Sequence, residues 1–133
     1  MKRIRIAVAV GLGLAVACTW VLSASAAVRG TTVTVTAGKP STFAFTLSTK
    51  SVKTGSVTFK VTNKGTIPHT FKVCSAATKS DSANSCSGKV TPSLSPGKSA
   101  TLTVTFSKKG SYEYLCTIPG HAAAGMKGLL KVS

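Results

Sequence analysis

The sequence predicts an all-β fold, an antiparallel β-sandwich of about seven to eight short strands, and three observations support that prediction. Apolar and polar residues alternate with period two in four stretches, which is typical of strands with one face in the core and one in water. Threonines fill many of the polar positions, and β-branched side chains favour strands over helices. Turn-forming residues separate the stretches, as at Gly38-Lys39-Pro40, Asn63-Lys64-Gly65 and Ser95-Pro96-Gly97.

The four alternating stretches are predicted to be central strands. Their apolar positions are Val33 and Val35; Phe43, Phe45 and Leu47; Val57, Phe59 and Val61; and Leu102, Val104 and Phe106. Further strands are expected at about 69–73, 111–116 and 128–132, and one helical turn near 120–125. Residues 75–95 have no apolar period and are rich in Ser, Ala, Lys and Gly, so they are predicted to form a long surface loop.

Residues 1–26 have the features of an export signal, and residues 27–133 are expected to form a single domain. Three basic residues precede an apolar run over 6–22, and a motif of small residues ends at Ala26. An uncleaved membrane anchor is the alternative, since about 20 apolar residues span a bilayer. Cys18 is interpreted as part of the signal, with a lipid anchor as a lesser alternative. The protein is expected to be periplasmic, on the cell surface or secreted.

The net charge of the chain indicates which classes of partner it can bind. Beyond residue 26 it keeps 14 Lys and Arg against Asp81 and Glu113, a net charge of +12 with His neutral. Such a field favours acidic redox proteins, an anionic membrane or an anionic cell wall. Nucleic acid is the usual partner of a basic protein, but export and the scatter of single lysines argue against it. We expect a monomer that meets its partners transiently.

Two cysteines lie in or beside the predicted loop. Cys74 opens the loop and Cys86 lies within it. In an exported protein this pair is expected to form a disulfide, which stabilises a fold by about 3 kcal/mol for a loop of this length. A second metal or redox site at the surface is the alternative, although no other loop residue has the character of a ligand.

Four residues form the candidate metal site: His69, Cys116, His121 and Met126. Three of them lie in YLCTIPGHAAAGMKG with the spacing C-x4-H-x4-M, and the fourth follows Pro68 at the start of a predicted strand. Thiolate and thioether are soft ligands and imidazole is intermediate, so the set suits one copper ion that cycles between Cu(I) and Cu(II). Two His and one Cys with a weak axial Met are the ligands of electron-transfer copper sites.

Side-chain parity supports a shared site. His69 lies on the same strand face as Phe71, and Cys116 on the same face as Tyr114, so both candidate ligands can point inward at one end of the sandwich. Taken singly, each residue has a commoner role, as a satisfied histidine, a core methionine, a buried thiol or a disulfide cysteine. Zinc accepts Cys and His without preferring a thioether. A cysteine hydrolase would need a base and an orienting Asn or Asp beside Cys116.

Two blocks of the sequence, NKGTIPHTFKV and YLCTIPGHAAAGMKGLLKV, resemble the cupredoxin (blue copper) family, which includes plastocyanin, azurin and sulfocyanin. The resemblance implies a Greek-key sandwich, His69 and His121 as nitrogen ligands, Cys116 as the thiolate and Met126 as the axial ligand. It also implies that the exposed edge of His121 is the electron port. The C-x4-H-x4-M spacing is longer than the usual plastocyanin loop and nearer to azurin-like and sulfocyanin-like variants.

These observations favour a one-electron carrier rather than an enzyme. Copper storage or delivery without redox cycling is the alternative, although such proteins often use open Met- or His-rich sites. Nitrite reductases and multicopper oxidases need further copper centres between domains, and this chain has no spare histidines. An apolar rim near His121 suits a short-lived encounter with a redox partner. Its expected members are Ile67, Pro68, Ile118, Pro119 and the alanines at 122–124.

Overall fold

Nine β-strands form the part of the chain that the computed structural model describes, residues 30–133. The strands are β1 (Thr31–Ala37), β2 (Phe45–Leu47), β3 (Ser51–Val52), β4 (Gly55–Asn63), β5 (Lys72–Ala77), β6 (Gly88–Val90), β7 (Ser99–Phe106), β8 (Gly110–Leu115) and β9 (Lys127–Val132). Within this range no helix is long and apolar enough to span a membrane. The predicted export signal, its alternative as an anchor, and Cys18 lie outside the described residues.

The strands pack as two sheets, which confirms the all-β sandwich. The first sheet has the order β2-β1-β4-β7, and the second has the order β3-β9-β8-β5-β6. Most neighbours are antiparallel as predicted, but β1 pairs with β4 and β3 pairs with β9 in parallel, so both sheets are mixed. The parallel pair β1–β4 arises because the chain crosses to the second sheet at β3 and then enters β4 in the direction of β1.

The two ends of the sandwich are distinguished by the strands that start and stop there. We call the upper end the one where β1, β4 and β8 finish and where β5, β7 and β9 begin, and the lower end the opposite one. His69 precedes β5, Cys116 follows β8 and Met126 precedes β9. Three of the four predicted ligands therefore lie at the upper end.

The predicted alternation is confirmed in the first sheet. Along β1 and β4, valines and Phe59 point into the core, while threonines and Lys60 alternate with them on the outer face. The main core cluster joins both sheets, from Val33 and Phe59 to Phe71 and Tyr114. All nine strands and this core cluster lie within residues 30–133, so the described range contains a hydrophobic core of its own.

The strand predicted around Phe43 is shorter than expected. β2 begins only at Phe45, and Phe43 lies in the preceding loop with 37% of its surface exposed. Gly38 N donates to Ala44 O at 2.9 Å, which closes a turn where the sequence pattern suggested a strand. The strand expected from His69 also starts later, at Lys72.

The prediction of one uninterrupted loop over 75–95 is wrong. β5 continues to Ala77, and β6 pairs with β5 across three residue pairs. The sequence did not predict β6, because all three of its residues are exposed and therefore show no apolar alternation. The Cys74–Cys86 disulfide is present, with Cα atoms 5.6 Å apart. It closes the loop of residues 75–85, and we call residues 74–86 the disulfide loop.

Residues 120–125 form a single turn at the upper end. Ala124 N donates to Gly120 O at 2.9 Å, the i to i−4 bond of one helical turn. The turn does not continue, because Gly125 adopts a φ of +102° and its N–H is bonded to Ala122 O. The expected helical turn is therefore confirmed.

Candidate metal centre

Backbone hydrogen bonds fix the segments that carry the predicted ligands. Cys116 N donates to Met126 O at 3.0 Å, and Met126 N donates to His121 O at 3.0 Å, so the C-x4-H-x4-M loop is closed on itself. His69 N donates to Leu94 O at 3.0 Å, and Leu94 N donates back to His69 O at 2.8 Å. The fourth residue is thus held by a separate strand-like bridge.

The side chains converge on one point. His69, Cys116 and His121 each offer a ligand atom, and these three atoms lie within 4.8 Å of one another. Cys116 Sγ lies 3.4 Å from His121 Nδ1, and the two imidazole centroids are 5.2 Å apart. Met126 is fully buried and packs in one cluster with Cys116 and Ala37. The structure therefore brings together all four residues that the sequence singled out.

The ring nitrogens of His69 test whether these residues fit a metal ion. His69 is 0% exposed, yet neither Nδ1 nor Nε2 has a hydrogen-bond partner among residues 30–133. A buried polar group without a partner costs about 1–3 kcal/mol, so folds rarely tolerate one without a functional reason. A metal bond to one of these nitrogens supplies that reason. The donor set of two imidazoles, one thiol and one thioether matches copper.

The protonation of the two histidines suits the same role. Burial lowers the pKa of His69, and the nearby His121 lowers it further. Burial also lowers the pKa of His121. Both imidazoles are therefore neutral at neutral pH, which is the state in which a ring nitrogen binds a metal.

Thr70 surrounds the Cys116 sulfur with donors. Its backbone N–H points at Cys116 Sγ at 3.5 Å, and its hydroxyl lies 3.6 Å from the same atom. The Thr70 hydroxyl also accepts from Thr117 N at 2.7 Å, which ties the strand of His69 to the start of the ligand loop. Hydrogen bonds around a cysteine sulfur tune the potential of a copper ion that it binds. Sequence reasoning missed Thr70, although it directly follows His69 in the block NKGTIPHTFKV.

Asn63 was also missed, because it looks like an ordinary turn residue in the sequence. It is 0% exposed. Its side-chain NH2 donates to Ile67 O at 2.8 Å and to Leu94 O at 2.7 Å, and its Oδ1 accepts from Gly65 N at 2.8 Å. Leu94 O is the carbonyl that His69 N also uses. Asn63 therefore anchors the loop that positions His69 to the end of β4.

Two glycines pack backbone against the His69 ring. A Cβ on Gly38 would lie 2.5 Å from the Cα of Gly65 and 3.1 Å from His69 Nε2. Gly38 also has a φ of +77°, which L side chains rarely adopt. A larger residue at this position would displace either the facing loop or the imidazole, so the close approach of the two loops requires glycine.

The exposed edge of the site differs in detail from the predicted apolar rim. Phe43, expected in a strand, packs edge-on against His121, with ring centroids 5.0 Å apart. His121 itself is only partly buried. Ala122 was expected in the rim but is 3% exposed and packs beneath the surface against Leu115. The other expected members are exposed or half-buried, namely Ile67, Pro68, Ile118, Pro119, Ala123 and Ala124.

The disulfide loop is attached to the residue that follows Met126. Lys127 Nζ donates to Ser82 O and Ala83 O at 3.2 Å each and to Asn84 Oδ1 at 2.9 Å. Beneath the loop, Glu113 is 2% exposed, and its Oε1 has no hydrogen-bond partner in the described part of the chain. Burial raises the pKa of Glu113, and the positive charge of Lys127 offsets part of that rise.

Comparison with known proteins places this arrangement in a family. Residues 31–133 match the family described as copper binding proteins, plastocyanin/azurin family. The copper-resistant cuproprotein CopI of Pseudomonas aeruginosa is 56% identical over 39 residues, 29% of this chain and 22% of CopI. Auracyanin-B of Chloroflexus aurantiacus is 46% identical over 43 residues, 32% of this chain and 18% of auracyanin-B. The matched segments thus span about a fifth of the length of these relatives.

Solved structures of similar proteins cover most of the described residues. Auracyanin B superposes with a TM-score of 0.62 at 26% identity, covering 77% of this chain and 88% of its own. Auracyanin from the photosynthetic bacterium Roseiflexus castenholzii gives 0.60 at 26% identity, with 78% and 98% covered. Rusticyanin from Thiobacillus ferrooxidans gives 0.54 at 28% identity, with 77% and 76% covered.

Proposed function

This chain belongs to the plastocyanin/azurin family of copper-binding proteins, and from that premise we propose that it is an exported carrier of single electrons. The observation that supports the proposal most directly is the unpaired, buried imidazole of His69 beside Cys116 and His121. When bound, copper accepts and releases one electron by cycling between Cu(I) and Cu(II). The chain is not expected to be an enzyme.

The four residues would divide the work of holding the ion. His69, His121 and Cys116 would form the three-coordinate set, since one ligand atom of each lies within 4.8 Å of the others. Met126 would supply the weak axial thioether that tunes the potential. Thr70 would help to tune the potential through the N–H directed at Cys116 Sγ.

Rigidity is what this scaffold adds to the ligand set. Cu(I) and Cu(II) prefer different geometries, so a site that cannot rearrange lowers the barrier to electron transfer. Cys116 and Met126 share a backbone bond, and the bridge of His69 is fixed by Asn63. Two independent anchors therefore restrain the ligands, one from each sheet.

Electrons would enter and leave through the partly exposed edge of His121. Phe43 covers one side of that ring and is itself 37% exposed. The apolar surface around the two rings would allow close, short-lived contact with a redox partner. Exposed lysines flank it at Lys39, Lys64 and Lys98, so acidic partners would be attracted and association rates should fall as ionic strength rises.

Visible and EPR spectra of the copper-loaded protein test the ligand assignment. The wild type should show an intense thiolate-to-copper charge-transfer band, and Cys116→Ser should lose it because serine offers no thiolate. Ala123→Ser places the same hydroxyl on an exposed position of the ligand loop and should keep the band. A wild-type protein that binds copper without this band would contradict the proposal.

Copper storage or delivery is the second candidate, and the match to CopI, described as a copper-resistant cuproprotein, favours it. A redox titration separates the two functions. A reversible couple between coloured Cu(II) and colourless Cu(I) forms supports the carrier. Tight Cu(I) binding without a coloured Cu(II) form supports storage or delivery.

A further inference from the structure

The lower end of the sandwich, opposite the candidate metal centre, carries a cluster of exposed lysines. We call it the basic pole. Its members are Lys50, Lys53, Lys79, Lys108, Lys109 and Lys131. They come from the β2–β3 and β3–β4 connections, the disulfide loop, the β7–β8 turn and the last strand, so the fold gathers residues that are scattered in the sequence.

Backbone pairing shows that these segments meet. Lys131 N donates to Lys50 O at 2.8 Å, and Thr54 N donates to Ser133 O at 3.1 Å. The Tyr112 hydroxyl donates to Lys108 O at 2.9 Å, which holds the β7–β8 turn against the same end. Thr78 N donates to Ser111 O at 2.7 Å and places Lys79 beside β8.

The two acidic side chains of residues 30–133 cannot offset the six positive charges of the basic pole. Glu113 is buried beneath the disulfide loop. Asp81 precedes Ser82, whose carbonyl accepts from Lys127 near the upper end. Lys72 and Lys127 are themselves bonded to oxygen atoms of the disulfide loop, whereas no hydrogen bond engages the ammonium groups of the basic pole within the described residues.

The chain enters the sandwich at the same end as the basic pole. β1 begins at Thr31 on the lower end, where it pairs with Val57. Eight residues separate the apolar run over 6–22 from Thr31, and the nine steps of chain between Leu22 and Thr31 reach at most about 32 Å. A surface next to that run would therefore lie within this reach of the lower end, where the chain enters the sandwich. β4, with nine residues, spans about 30 Å between this pole and the upper end.

We propose that the basic pole docks on an anionic phospholipid surface and turns the metal centre away from it. Clustered lysines are attracted to negatively charged headgroups, and the attraction falls off within a Debye length of the surface. When the pole faces the phospholipid surface, its lysines all lie within a Debye length of the headgroups, while the lysines at the upper end lie farther away. The apolar surface at His121 is then free to meet a redox partner.

Vesicle co-sedimentation of the domain 30–133 tests the proposal. The probes are vesicles of phosphatidylcholine mixed with phosphatidylglycerol, and neutral vesicles of phosphatidylcholine alone. The pole variant replaces five lysines with glutamine: K50Q, K53Q, K108Q, K109Q and K131Q. The matched control removes the same charge from five exposed lysines elsewhere: K39Q, K60Q, K64Q, K89Q and K98Q.

The wild-type domain should bind the anionic vesicles and not the neutral ones, and added salt should release it. The pole variant should lose at least about tenfold in affinity, since each basic residue near the surface contributes. The control should lose less than about threefold, because its charges lie beyond the screening length. Circular dichroism verifies that both variants are folded.

Three results would overturn the proposal. Equal losses in the two variants would mean that net charge alone drives binding. Equal binding to neutral vesicles would mean that charge is not the cause. Binding to a soluble polyphosphate but not to anionic vesicles would assign the pole to an anionic polymer instead. Vesicle binding is measured without bound copper, so the result tests the docking proposal independently of the electron-carrier proposal.

Discussion

The two sheets of this sandwich have different outer faces. On the first sheet, Thr32, Thr58 and Thr103 lie side by side in the strand register and face solvent. On the second sheet, the outward-facing residues of β8, Glu113 and Leu115, are 2% and 1% exposed because the disulfide loop covers them. The first sheet is therefore packed on a single face, whereas the second is packed on both faces along β8.

The candidate ligands belong to the sheet that is packed on both faces. His69, Cys116 and Met126 flank β5, β8 and β9, all of which lie in the second sheet. The disulfide loop reaches the ligand loop twice, through the contacts of Ala122 and through the hydrogen bonds of Lys127. The covering loop thus supports the site from outside, while the first sheet supports it through Asn63 from within. Substitutions can separate these two supports.

Removing the disulfide should have the largest effect. Cys74→Ala with Cys86→Ala opens a closure of 12 residues in sequence separation, and the free energy of unfolding should fall by about 3 kcal/mol on the chain-entropy estimate. Denaturant titration measures the loss. Ser85→Ala, an exposed position in the same loop, is the control and should change stability by less than about 0.5 kcal/mol. A double variant as stable as the control would show that the cover contributes nothing.

Asn63→Ala should have the next largest effect, although Asn63 belongs to the first sheet. It leaves the carbonyls of Ile67 and Leu94 and the N–H of Gly65 without their partner. The expected loss is about 2 kcal/mol, as for other buried groups left unpaired, together with a weaker affinity for copper because His69 is less well held. Thr62→Ala, the neighbouring residue on the outer face, is the matched control. Equal copper affinities in the two variants would contradict a role for Asn63 in the site.

The same contrast explains what the sequence could predict. β1, β4 and β7 have clean alternation because one of their faces meets water, and their strands were found close to their true bounds. Glu113 and Leu115 do not follow this alternation, because a loop covers the outer face of their strand. A single sequence does not show which segment covers which strand. The short strands β3 and β6 have two and three residues, too few to show a period.

The candidate site was predictable for a different reason. His69, Cys116, His121 and Met126 are unusual in residue type, and three of them are close in sequence, so ligand chemistry alone singled them out. Asn63 and Thr70 act through hydrogen bonds to a distant carbonyl and a distant sulfur. Such roles depend on tertiary contacts that residue type does not encode. Phe43 was misplaced because its alternation with Phe45 continues past the true start of the strand.

Glu113 gives the second sheet a dependence on pH that the first sheet lacks. Its pKa in the folded protein is raised above the ordinary value of 4.5, chiefly by burial. Between the unfolded and the folded pKa of Glu113, the folded state holds a proton that the unfolded chain has released. The free energy of unfolding is therefore greatest below the unfolded pKa and falls as pH rises through the folded pKa. Glu113→Gln should remove this fall and be more stable than the wild type at neutral pH.

Free energies of unfolding measured across that pH range compare the two proteins. Asp81→Asn removes the other acid of the described residues from an exposed position and is the control. Its stability should keep the fall with pH, displaced to slightly lower pH because the charge of Asp81 contributes to the raised pKa of Glu113. If Glu113→Gln also runs parallel to the wild type, then the carboxyl is ionised in the folded protein, and the cover over the second sheet is more open to water than its burial indicates.

Thr103→Val should have the smallest effect, since it changes a residue on the uncovered sheet. Thr103 shares a 3.3 Å hydroxyl contact with Thr58 in an exposed row. Solvent replaces the lost bond and valine suits a strand, so the free energy of unfolding should stay within about 0.5 kcal/mol of the wild type. The copper spectrum should not change. A loss well above that limit would show that the threonine face holds the sheet together, and the contrast between a covered and an uncovered sheet would no longer explain where stability resides.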